Sequence, residues 1–145
     1  MRSKIKKYEF PKDVFKSYNN ALKNNPTWSF DAADVNISKW NFFKNSNEDI
    51  LMQLKSFEGM TWHEIEKSSG GRKNGTNNHF VKISELVKEA QQEIKKLHYI
   101  DNKIYSLFSL RLSGKTRMYG IREENTGLFK IVWLDLEHEI YHLRK

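Results

Sequence analysis

The chain has 145 residues, the size of one domain, and its 38% hydrophobic and 13% aromatic content is enough for an aromatic-rich core. Charged residues make up 30%, no apolar run approaches the roughly 18 residues of a membrane span, and the start MRSKIKKYEF lacks the apolar stretch of a signal peptide. The absence of cysteine excludes disulfides and thiolate metal sites, so a cytoplasmic protein with no membrane partner is expected.

Net charge is +7 with a pI near 9.5, a balance that favours polyanions: nucleic acid, ribosomal RNA or an acidic protein. Residues 1–23 carry seven Lys and Arg against Glu9 and Asp13, which is +5 of that +7. Residues 1–10 are read as a basic arm, either solvated or in contact with nucleic acid.

From Lys12 to Asn24, Val14, Phe15, Tyr18 and Leu22 recur at helical spacing, and Asn24-Asn25-Pro26 ends the run. Trp28 to Phe43 reads as extended. Ser46 is expected to cap a helix from Asn47 to Phe57 that presents Ile50, Leu51, Leu54 and Phe57 on one face. Thr61 and Glu64 match a capping box ahead of a short helix to Lys67. Residues 68–78, SSGGRKNGTNN, form a polar, glycine-rich loop whose Arg72 and Lys73 are candidate phosphate contacts. The loop lacks the G-x-x-x-x-G-K-[ST] pattern of a nucleotide-binding loop. A short strand from His79 to Ile83 is expected, then a helix from Ser84 to Leu97 with Leu86, Val87, Ala90, Ile94 and Leu97 on one face.

Residues 104–142 hold three strand-like runs separated by Ser113-Gly114-Lys115 and by Glu124-Asn125-Thr126-Gly127, the pattern of an antiparallel meander. The third run, around Phe129, Ile131, Val132, Trp133 and Leu134, is apolar in both registers and predicts a strand covered on both faces. One α+β domain over 1–145 follows, with helices packed on a twisted antiparallel C-terminal sheet.

Cations collect on the meander at Arg111, Lys115, Arg117 and Arg122, followed by Asp135, His138 and Tyr141. Phosphodiester cleavage through a 2′-hydroxyl builds negative charge on the phosphoryl oxygens, which fixed cations stabilise by several kcal/mol. Arg111, Lys115 and Arg117 suit that task, with Arg122 in support. His138 is the candidate general acid or base, Asp135 or Glu137 orients it, and Tyr141 stacks on a base or steadies the phosphate. Alternation puts Arg117, Tyr119 and Ile121 on one face and Met118, Gly120 and Arg122 on the other, so the four cations need not share a pocket. The alternative for the cluster is a solvated sheet edge charged against aggregation. HEIYH at 138–142 matches H-E-x-x-H in letters, but that zinc chemistry needs a helix, and this stretch follows a strand. No metal or cofactor is expected.

The same block resembles the RelE/ParE-like superfamily of small bacterial toxins. It is similar, more sharply, to a group often carried by mobile elements whose C-terminal pattern is RLSGKxRxYG…WxDxxHxxY. The matching residues are Phe108 to Leu112, Gly114, Lys115, Arg117, Tyr119, Gly120, Trp133, Asp135, His138 and Tyr141. The resemblance implies helices on a twisted antiparallel sheet and a metal-independent endoribonuclease, the toxin of a toxin–antitoxin pair. Implied partners are RNA or the ribosome and an acidic antitoxin. The alternative is a non-enzymatic mobile-element protein that grips nucleic acid or a bacterial defence protein.

Overall fold

The computed structural model describes residues 22–68, 78–97 and 104–142. The expected arm at 1–10, most of the expected helix from Lys12 to Asn24, and Arg72 and Lys73 lie outside the described residues. The elements are β1 (Thr27–Ser29), α1 (Phe42–Asn45), α2 (Glu48–Glu58), α3 (Trp62–Lys67), β2 (His79–Lys82), α4 (Lys88–Lys96), β3 (Ser106–Ser113), β4 (Thr116–Arg122) and β5 (Leu128–Asp135).

The five strands form one sheet in the order β1-β5-β4-β3-β2. Strands β2 to β5 pair antiparallel, and the meander turns at Gly114 (φ 41°) and Gly127 (φ 80°), a left-handed backbone that glycine adopts without strain. The C-terminal meander is antiparallel as expected, but the full sheet is mixed, because β1 runs parallel to β5. No hairpin joins these two strands, so packing sets their direction. Trp28 lies opposite Phe129 in the register and rests edge-on against the rings of Phe129 (5.7 Å) and Trp62 (6.4 Å).

Helices cover both faces, and the class is α+β. On one face Leu86, Ala90 and Leu97, around α4, pack with Trp40, Leu107, Tyr119, Val132, Trp133 and Ile140. On the other, Ile50 and Leu54 of α2 and Trp62 and Ile65 of α3 cover Phe108, Leu110, Met118, Phe129, Ile131 and Leu134. Strand β5 serves both cores because its register with β4 slips after Tyr119, which leaves Val132 unmatched. Val132 and Trp133 therefore both face α4, while Ile131 and Leu134 face α2 and α3.

Local differences from the expected elements have local causes. Asn47, not Ser46, caps α2: its side chain accepts from Ile50 N at 2.9 Å. The buried stripe of α2 is narrower than expected, since Leu51 is 52% exposed. The Thr61–Glu64 capping box forms, with both reciprocal bonds made. Helix α4 starts only at Lys88, after a 3-10 turn at Ile83–Glu85 and an extended Val87. The Val87 N–H donates to Ile140 O at 2.9 Å, a tie to the chain's tail. Among the described residues no helix is long and apolar enough to cross a membrane.

Candidate functional site

The sheet face toward α4 carries rows of polar side chains between its apolar ones. Arg111, Arg117 and Asp135 are register partners across β3, β4 and β5. Two residues along each strand, His79, Ser109, Tyr119 and Trp133 form the next row, from the β2 edge inward. Period-two alternation puts both rows on the same face.

The entry to β2 is clamped. The Asn78 amide donates to Ile65 O at 3.0 Å, and its Oδ1 accepts from Arg111 N at 2.8 Å. This side chain ties α3 to β3 and seats His79 opposite Ser109.

The tail closes the site from the far side. Residues 136–142 leave the sheet after Asp135, so the third strand is shorter than the meander region expected at 104–142. His138 takes the left-handed conformation (φ 58°), unusual for a side chain other than glycine, at the bend that folds the tail back. Ile140 N then donates to Asp135 Oδ2 at 2.8 Å, and the Tyr141 ring meets the His79 ring edge-on at 6.1 Å. The HEIYH stretch is thus bent rather than helical, and the i, i+4 geometry of a zinc helix is not formed.

Seven buried side-chain polar atoms among the described residues lack a hydrogen-bond partner, and three of them sit in these rows: Arg111 Nε, Tyr119 Oη and Asp135 Oδ1. Buried polar atoms are ordinarily paired, because each orphan costs about 1–3 kcal/mol, so these three atoms are the candidates for contact with a ligand or water. The Tyr119 phenol is pushed well above its usual range, by burial first and by the Asp135 charge next; Ser109 and Arg117 oppose the shift. It stays a neutral donor at physiological pH.

Lys115, on the β3–β4 turn, pairs with Glu137 at 3.0 Å, both exposed at the rim. Arg117 donates to Gly114 O at 2.7 Å and Thr116 O at 3.2 Å, which draws its guanidinium toward that turn. Arg122 is separated from the others, as alternation anticipates for an even-numbered position on β4. It faces α3, 7% exposed, paired with Glu66 and lying 4.8–5.1 Å from the ring centres of Phe108, Phe80 and Trp62. Supporting chemistry at the Arg111 row is not open to it from there.

A separate groove of about 610 Å³ runs between β1 and α2, lined by Trp28, Phe30, Leu51 and Leu54, with Lys55 and Glu58 at its side. It is apolar, and the titratable cluster lies on the opposite face of the sheet.

Three members of the site carried no role in the sequence reading: His79, Ser109 and Tyr119. Ser109 and Tyr119 share an alternation class with Arg111 and Arg117, a signal available in the sequence. His79 needed the β2–β3 register, which spacing alone does not give. Comparison with protein-family models, curated proteins and solved structures found no match for this chain.

Proposed function

We propose that the protein binds RNA with a phosphodiester seated at Arg111 and Arg117, and that it cuts that RNA without a metal, as its RelE-like resemblance implies. The observation that carries this reading is the pair of buried donors without a hydrogen-bond acceptor, Arg111 Nε and Tyr119 Oη, on a sheet face where Arg111 and Arg117 are register partners. Arg111 and Arg117 are register partners on one face of the sheet, with Asp135 as the next residue in the row. A phosphate answers both charges and accepts from Arg111 Nε and the Tyr119 hydroxyl. Charge that develops on the phosphoryl oxygens during cleavage meets the same donors, already oriented. The +7 net charge adds long-range attraction for a polyanion.

The test is RNA binding as a function of salt. Affinity should fall steeply as salt rises from 50 to 200 mM, and Arg111→Ala with Arg117→Ala should weaken binding at least tenfold and reduce the salt slope by about two. An unchanged slope in the double variant, or no binding to RNA at 50 mM salt, defeats the reading. Binding by the wild type without cleavage, alone or with ribosomes, leaves an RNA-gripping module and removes the enzyme.

A further inference from the structure

We infer that His79, at the β2 edge of the site, is the base that takes the 2′-hydroxyl proton when RNA is cut; this rests on reading the site as RNA-cleaving. Two histidines of the chain border the rows, and the structure gives them different settings. His138 occupies a left-handed backbone position in the bend after β5. His79 lies on a paired strand opposite Ser109, with its predecessor Asn78 bonded to both α3 and β3. A group that must meet a proton within hydrogen-bond reach gains from such a rigid seat.

The ring's tautomer follows from its one hydrogen bond. His79 Nδ1 lies 3.0 Å from Phe80 O, and a carbonyl only accepts, so Nδ1 carries the hydrogen. In the neutral ring Nε2 is then the nitrogen with the free lone pair, which is the form a general base requires. The Tyr141 ring, edge-on at 6.1 Å and 66°, holds the imidazole from the tail side. Ser109 of β3 is its register partner, Tyr119 of β4 and Trp133 of β5 continue its row, and the Arg111, Arg117 and Asp135 row is the next one along the sheet. The Arg111 row is two residues along the strand from the His79 row, about 7 Å. The ribose attached to a phosphate at Arg111 spans that gap.

The step balances without any further reagent. Nε2 accepts the 2′-hydroxyl proton, and the 2′-oxygen's electron pair forms a bond to phosphorus. The bond from phosphorus to the 5′-oxygen breaks, and its pair stays on that oxygen, which takes a proton from water. The hydroxide left behind recovers the proton from the imidazolium. The products are a 2′,3′-cyclic phosphate and a 5′-hydroxyl end.

The experiment measures cleavage of a 5′-labelled RNA by the full chain in EDTA, with RNA binding measured in parallel. The wild type decides the reading of the site: no RNA binding overturns it, and binding without cleavage overturns cleavage and the role of His79 together. The variants decide His79. His79→Ala should lose about 100-fold or more in cleavage rate, retain RNA binding within about threefold, and regain part of its rate on addition of free imidazole. A purely structural histidine would show no such rescue. His79→Gln, which keeps the volume of the ring's inner edge, guards against a folding defect and should be equally slow. A His79→Ala or His79→Gln protein that binds and cuts like wild type overturns the inference, as does loss of cleavage in His138→Gly with His79→Ala still active.

Discussion

Arg122 and Arg111 occupy neighbouring strands of one sheet and face opposite layers, and their surroundings differ in kind. The Arg122 guanidinium is closed off by Glu66 and three aromatic rings. Arg111 leaves its Nε buried and unpartnered, in a row with Arg117 and Asp135, with Tyr119 in the adjoining row. A cation whose partners are all internal contributes to the fold. A group of orphan atoms costs the fold something, and under the proposed function a bound phosphate offsets that cost. Residue type alone does not separate the two cases, since both positions are arginines on strands of a basic protein; the strand face and the inventory of partners do.

The sharpest way to break this contrast is to remove each arginine in turn. Arg122→Ala leaves Glu66 without its partner and three rings without their cation. It should lower stability by about 3 kcal/mol, read from urea denaturation. Arg111→Ala should change stability by less than about 1 kcal/mol and act on RNA affinity instead. Equal losses of stability would mean that both arginines are structural and would remove the reason for locating a site at Arg111.

Gly120 tests the sheet that holds the two faces apart. A Cβ there would lie 2.4 Å from Lys130 O and 2.4 Å from the Phe129 ring, at the register slip that turns Val132 and Trp133 together toward α4. Gly120→Ala should cost about 2–3 kcal/mol. It should also disturb RNA binding more than its stability loss explains, because the slip directly adjoins the Tyr119–Trp133 row.

Much of this architecture could be read from the chain. The two turn signals and the doubly apolar run at 129–134 specify β3 to β5 and their burial, because turn chemistry and alternation are local properties. The separation of Arg122 from Arg117 follows from counting residues along β4. The parallel pairing of β1 could not be read, since three residues held by contacts with Trp62 and Phe129 carry no local signal of direction. Nor could the place of His79, because the β2–β3 register depends on Asn78, which bonds Ile65 13 positions before it and Arg111 33 positions after it. Glu93 was also hidden: it lies within the apolar stripe of α4, three residues after Ala90, yet is only 7% exposed.

Glu93 sharpens the comparison by showing an orphan atom that needs no ligand. Its Oε2 is buried and unpartnered, but its carboxyl group faces Asp34, which accepts from the Trp133 indole at 2.9 Å, and Lys96 lies 3.7 Å from its other oxygen. Burial first, then the hydrogen bond and charge of Asp34, raise the Glu93 pKa, while Lys96 opposes the rise. A raised carboxyl pKa contributes stability that is fully present below the unfolded value and is lost as pH rises through the folded one. Glu93→Gln removes that loss. The variant should be more stable than wild type at pH 7 by about 1 kcal/mol or less, with the difference gone near pH 4. A variant less stable at pH 7 would show that the Lys96 pair outweighs the buried carboxyl contact.

The smallest expected effect concerns Tyr119, whose hydroxyl belongs to the proposed site. If the hydroxyl were part of the fold's own hydrogen bonding, Tyr119→Phe would cost about 1 kcal/mol at pH 7. An orphan hydroxyl predicts a change within about 0.5 kcal/mol of zero, or a slight gain, together with weaker RNA binding. Alkaline pH gives a second, independent reading of the same group. The folded phenol titrates above the unfolded one, so its contribution is complete below about pH 10 and is lost as pH rises further. Wild-type stability should therefore fall through that range more steeply than that of Tyr119→Phe, by at most about 1.4 kcal/mol per pH unit, the slope of one proton. Parallel slopes for the two proteins would mean that the phenol is not held neutral by burial beside Asp135. The site would then lose one of its two orphan donors, and Arg111 Nε alone among them would carry the phosphate reading.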